Sequence, residues 1–178
     1  MKFIFKIFIV LLILGAVSVL FYSWYLSKYS MDEVKEFDVN TREQSNHILI
    51  ASQGSKFKDE VVAQVIQQLP AGYAYIKVID VKSLTDIKEE NWDVIVILHT
   101  WEYAKPPDAV KSFVDNIDDK NKLVMISTSG RGTYLIKDVD GISSASQLDE
   151  ITNISNEIVQ RIQNILKKKP ENINNENK

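Results

Sequence analysis

Asp93-Val94-Ile95-Val96-Ile97-Leu98 decides how the rest of the chain is read. A strand with one wet face alternates apolar and polar residues. This stretch does not: after Asp93 every side chain is aliphatic, and Val94 to Ile97 are all β-branched. Such a run suits a strand covered on both faces, the situation inside a parallel sheet. Three further stretches share the pattern: His47-Ile48-Leu49-Ile50-Ala51, Ala74 to Ile79, and Lys122 to Ser127.

Helical periodicity fills the intervals. Val61, Val62, Val65, Ile66 and Leu69 fall on one helical face that stops at Pro70-Ala71-Gly72. Ser83 to Glu90 predicts a short helix with Ser83 and Asp86 spaced as a capping box. Pro107 suits a first helical turn ahead of the stripe Val110, Phe113, Val114 and Ile117. Leu148, Ile151, Ile154, Ile158, Ile162 and Ile165 predict a long closing helix with Ser146 as its N-cap. Strand and helix alternate three times, then come strand, loop and final helix. This order predicts an α/β fold built on a doubly wound parallel sheet. The interval Gly130 to Gly141 is short for a crossover that contains a helix. It predicts a helix-free connection, or a small extra hairpin, before a fifth strand near Gly141–Ala145.

Composition narrows the function classes. Residues 46–168 form about 120 residues of domain, close to the modal size and able to bury one core unaided. The net charge of −3 supplies no whole-chain basic field, so nucleic acid is not an expected partner. The absence of cysteine excludes disulfides, thiol nucleophiles, thiolate zinc sites and a lipoprotein anchor. Residues 30–45 are polar, mixed in charge and aperiodic, which predicts a stalk. Residues 169–178 predict a disordered tail.

The amino terminus carries the one segment suited to lipid. Ile7 to Leu26 is about 20 uncharged residues, the length that spans a hydrocarbon core as a helix. Tyr22, Trp24, Tyr25 and Tyr29 gather at its far end, where aromatic rings favour the membrane interface. Residues 1–29 therefore predict a single-pass membrane anchor. A cleaved signal peptide is the competing reading, with Ala16-Val17-Ser18 as its site, but the apolar run outlasts a signal h-region. Lys2 and Lys6 lie close to one end of the run, which favours an extracytoplasmic domain.

The order of elements resembles the flavodoxin-like family over about 120 residues, with strand order 2-1-3-4-5 and the helix between the last two strands short or missing. The residues that carry the resemblance lie mainly in the second half. His99-Thr100-Trp101-Glu102-Tyr103-Ala104-Lys105-Pro106-Pro107 looks like the family's loop after the third strand, and Thr128-Ser129-Gly130 like its loop after the fourth. The resemblance implies FMN across the carboxyl ends of the strands, its phosphate in the first strand–helix loop and its ring flanked by aromatics. On that basis Ser52, Gln53, Gly54, Ser55 and Lys56 are candidates for the phosphate, Trp101, Glu102 and Tyr103 for the ring, and Thr128, Ser129 and Gly130 for the second loop.

The first loop departs from the family's TGxT core. Ser52 and Ser55 offer hydroxyls and Lys56 and Lys58 offer charge, but Asp59 and Glu60 already satisfy the helix dipole and would repel a phosphate. The loop reads either as a degenerate phosphate cradle or as a plain capped turn. Trp101 and Tyr103 either stack on a ring, roof the core or meet a protein partner, and Thr128 to Gly132 is a ligand loop or a turn. His99 and His47 lack metal-ligand spacing, and neither a Gly-x-Ser-x-Gly elbow nor a Walker A frame occurs, so no catalytic or metal-binding residue is named. The expectation is a membrane-tethered binding or scaffold module with a lapsed cofactor site. The alternative is an FMN-binding electron-transfer flavoprotein at the membrane surface.

Overall fold

The computed structural model describes residues 2–29 and 31–169, without the side chains of 2 and 25–29. Two compact units divide the chain, residues 1–32 and 33–178. In the first, helix α1 runs from Lys2 to Tyr29, and its segment Phe3–Trp24 buries nothing. By length and composition that segment can cross a bilayer, a test that a signal sequence also passes. Tyr22 and Trp24 are exposed near its carboxyl end; the side chains of Tyr25 and Tyr29 lie outside the described residues.

The second unit is built on one six-stranded sheet, β1 (Phe37–Val39), β2 (His47–Ser52), β3 (Tyr75–Asp80), β4 (Val94–Thr100), β5 (Leu123–Thr128) and β6 (Gly141–Ser144). The spatial order is β1-β3-β2-β4-β5-β6, and every pairing is parallel except that of β1 with β3. The four apolar runs thus lie side by side and point the same way. Val94 to Leu98 are fully buried because both faces of β4 are covered, as the unbroken aliphatic run requires.

The helices take opposite faces. On one side α2 (Lys56–Gln68) packs against α4 (Ile151–Lys168), and Val61, Val65, Ile158 and Ile162 meet Ile48, Ile50, Val96, Leu98 and Ile126. On the other, α3 (Asp108–Asn116) and a 3₁₀ turn, Val81–Asp86, bring Val110, Val114 and Leu84 onto Leu49, Ile95, Ile97 and Met125. Neighbours along a strand therefore belong to different cores. Each fully buried Val, Leu or Ile contributes about 1.5–3 kcal/mol of transfer free energy.

The structure alters three details of the sequence reading. Residues 30–45 are not all stalk, since Phe37–Val39 adds an antiparallel edge strand in the register Phe37↔Val78 and Val39↔Ile76. Three residues are too few to show period-two patterning. Asp80 fixes the approach to this strand: its Oδ2 accepts from the Val34 amide (3.0 Å) and its Oδ1 from the Lys82 amide (2.9 Å). That second bond also replaces the Ser83 capping box. The segment forms 3₁₀ turns rather than an α-helix, Asp80 caps the first, and Ser83 Oγ donates to Glu36 (3.1 Å). Lastly, Ser146 does not cap α4. It sits in a left-handed turn (φ 60°), and a 3₁₀ turn at Leu148–Glu150 leads into the helix with Leu148 exposed.

The connection before the last strand has the form its length predicts. No helix interrupts it from Ser129 to Asp140, and β6 pairs in parallel with β5.

Lys169 ends α4 and reaches back to Asp93 (2.8 Å) and the Ser45 carbonyl (3.0 Å). Residues 170–178, where the sequence predicts a disordered tail, lie outside the described residues.

Candidate functional site at the carboxyl edge of the sheet

In an open parallel sheet the loops leaving the carboxyl ends of the strands are where side chains can converge. Ser52, Thr100, Thr128 and Ser144 end β2, β4, β5 and β6. Each stands two residues beyond a member of the α2/α4 core (Ile50, Leu98, Ile126, Ile142), so their hydroxyls form a row on that face.

Lys58 enters this row from the first turn of α2. It is 1% exposed, and its Nζ donates to Thr100 Oγ1 (2.8 Å) and Ser55 Oγ (3.3 Å). Thr100 Oγ1 lies 2.8 Å from Thr128 Oγ1, and Thr128 Oγ1 donates to the His99 carbonyl (3.2 Å). Because an ammonium can only donate, the chain of bonds has one direction, Lys58 to Thr100 to Thr128 to the backbone. Burial lowers the Lys58 pKa to about 8, against the opposing pull of Asp59 and then Glu102.

The other face carries an imidazole. His99 is fully buried, with Nε2 2.9 Å from Ser127 Oγ and Nδ1 without a hydrogen-bond partner among the described residues. Burial lowers its pKa to about 4; the Thr100 backbone opposes the shift and the Lys58 charge adds to it. Glu102, its neighbour in sequence, is engaged elsewhere.

The loops above are tied to one another. Gln53 accepts from the Thr100 amide through Oε1 (2.9 Å) and donates to Glu102 through Nε2 (2.8 Å). Its own amide donates to the Leu98 carbonyl (2.9 Å). Ser55 is the N-cap of α2, its Oγ accepting from the Lys58 amide (3.4 Å). Gly54 is buried and Lys56 is exposed.

Trp101 stacks on Tyr134 from the β5–β6 connection, with ring centroids 5.1 Å apart and planes at 27°. Its Nε1 is buried without a partner among the described residues, as is Ser52 Oγ. Glu102 and Lys105 exchange backbone bonds (2.9 and 3.1 Å) across a two-residue turn. Both turn residues, Tyr103 (φ 51°) and Ala104 (φ 60°), are left-handed, a conformation that costs a non-glycine residue about 1–2 kcal/mol. The turn holds Tyr103 out in solvent, 92% exposed. Ser129 Oγ accepts from the Gly132 amide (3.0 Å), and Gly130 is exposed. At Gly132 a Cβ would fall 2.7 Å from the Ala145 amide nitrogen, so that turn needs glycine.

The sequence-predicted residues therefore sit at one edge, but in two sets. Gln53, Ser55, Glu102, Thr128 and Ser129 hold the loops together, whereas Lys56, Tyr103 and Gly130 face solvent. Two residues central to the edge, Thr100 and Tyr134, are not among the site residues the sequence suggests, and Lys58, read there as a charge for the phosphate, is instead buried and turned onto Thr100. A signal for Lys58 exists, since 58 stands in helical register with Val61, Val62 and Val65. Two clefts lie elsewhere. One, of about 790 Å³, is lined by Trp92, Asn121, Arg161 and Lys169; the other, of about 370 Å³, by Leu84, Phe113 and Ile117.

The strand order and the loop cluster at its carboxyl edge define a flavodoxin-like α/β domain. A solved structure shares this fold. The flavodiiron core of Flv1 from Synechocystis aligns over 71% of this chain with a TM-score of 0.50 at 9% identity. This chain spans 37% of the length of that one. A flavodoxin from the domain Archaea aligns over 67% of this chain and 99% of its own (TM-score 0.44, 9% identity), and oxidised flavodoxin 2 from Bacillus cereus over 66% and 99% (0.40, 15%). No protein-family model matches the chain, and no curated protein does.

Proposed function

We propose that this chain is a membrane-tethered binding module whose flavin site has lapsed, with α1 retained as the anchor. The observation that carries this reading is the internal engagement of the groups an FMN phosphate would need. Ser55 Oγ caps α2 and receives Lys58; the Lys58 ammonium is turned inward onto Thr100; Gln53 is spent on Thr100 and Glu102. A dianion placed in that loop would have to break these bonds and meet Asp59 in the first helical turn. Trp101 is likewise committed, to Tyr134. The residues present fit FMN poorly, and binding falls instead to the exposed edge around Tyr103.

The test is a titration of the full-length protein in detergent with FMN, read by visible absorbance and flavin fluorescence. No bound flavin is expected; a yellow, quenched complex of about micromolar affinity or tighter refutes the lapsed site. The second reading, an FMN-binding electron carrier at the membrane surface, draws on Tyr103, an exposed aromatic where the resemblance places the ring. If FMN does bind, Trp101→Ala and Tyr103→Ala should each weaken it by about 1–3 kcal/mol, the scale of an aromatic stacking loss.

The position of Lys2 and Lys6 beside the apolar run supports an extracytoplasmic domain. A reporter fused after Lys178 that works only in the cytoplasm should then stay inactive, and activity would reverse the orientation.

A further inference from the structure

We propose that the carboxyl edge of the sheet lies against lipid, with Tyr103 and Leu148 entering the interfacial layer of the membrane. The proposal rests on the tethered reading above and names the partner of its exposed edge. Within residues 33–169 the two most exposed large apolar side chains are Tyr103 at 92% and Leu148 at 60%, and both leave carboxyl ends of strands, β4 and β6. Tyr134, 43% exposed, joins them from the connection after β5. Strands lie about 4.8 Å apart, so the ends of β4, β5 and β6 fall within about 10 Å. An aromatic phenol and an aliphatic side chain on neighbouring loops suit the boundary between headgroups and acyl chains.

Connectivity points to lipid rather than to a soluble protein. The chain enters this unit at the same edge, where Val34 is bonded to Asp80 at the end of β3. Tyr29, the last residue of α1, is five Cα steps from Val34, at most about 19 Å of chain whatever its conformation. Val34, the point at which the chain enters this edge, is thus held within that length of the end of α1. Charges around it are of both signs, Lys56, Lys105 and Arg131 against Glu102, Asp108 and Asp149, so contact should not require anionic lipid.

The chain has no cysteine, so single labelling sites are clean. A solvent-sensitive fluorophore is placed at Tyr103→Cys, Leu148→Cys, Asn121→Cys at the opposite edge, and Ser18→Cys within α1, in the full-length protein. Each is reconstituted in phosphatidylcholine nanodiscs with and without nitroxide-bearing lipid. Quenching of about twofold or more is expected at 103 and 148, with position 121 unaffected and position 18 strongly quenched. Quenching at 18 without quenching at 103 and 148 overturns the lipid contact and leaves the edge open to a protein. Loss of quenching at 18 overturns the anchor itself, and the lipid contact with it.

Discussion

Acidification from pH 7 to pH 5 should remove about 2 kcal/mol of stability through His99 alone. Its folded pKa, about 4, lies below the ordinary value of 6.5 because burial disfavours the charged ring. Between those two values the unfolded chain binds the proton and the folded chain does not. Stability supplied by the neutral ring is therefore complete above pH 6.5 and is lost as pH falls, the loss reaching about 3 kcal/mol below pH 4. The geometry shows why the ring resists charge: Nε2 faces Ser127 Oγ, and an imidazolium would present a second N–H at Nδ1, where no described acceptor stands in hydrogen-bonding geometry. Carboxylates titrate in the same range, so the quantity to measure is the difference between wild type and His99→Gln in urea unfolding followed by tryptophan fluorescence. That difference should shrink by about 2 kcal/mol between pH 7 and 5. A difference that stays constant with pH would show that His99 is not held neutral.

Lys58 should act at the other end of the scale. Its folded pKa of about 8 lies below the ordinary 10.5, so between those values the unfolded chain again holds more protons. Stability must then rise with pH, by about 2 kcal/mol from pH 7 to 9.5, because the buried ammonium is a cost that deprotonation relieves. Lys58→Met removes the titrating group while filling the same space under α2, and it should flatten this limb of the profile. Thr100 keeps its bond to Thr128, so the hydroxyl row survives the change. A rising alkaline limb that persists in Lys58→Met would assign it to another group.

Both residues show where sequence reasoning reaches and where it stops. The sheet is legible because Val94 to Leu98 and its three counterparts have no polar face, and only a strand covered on both sides tolerates that. The helix-free step before β6 is legible from chain length. Edge strand β1 is not, since Phe37-Asp38-Val39 is specified by its partner β3 and by Asp80, both remote in sequence. At the edge of the sheet, side-chain types identify loops but not allegiances. Ser55, Gln53 and Thr128 look the same in a sequence whether they face a ligand or one another. What separates the two cases is Lys58, a cation whose helical register sends it inward. For Trp101 the sequence leaves stacking on a ring, roofing the core and meeting a partner all open, because Tyr134, on which it stacks, lies in the connection with no regular pattern.

The short strand β1 also has a mechanical meaning. Any tension arriving along the amino-terminal segment reaches the Val34–Asp80 bond and the three residues of β1 before it reaches the parallel sheet. Those contacts are few and lie at the rim, whereas β2, β4 and β5 are locked between two layers of helices. Under load β1 would peel away first, adding several residues to the extended segment ahead of β2. In a membrane-tethered chain, as proposed above, this attachment would act as a mechanical fuse, yielding at the margin before the core.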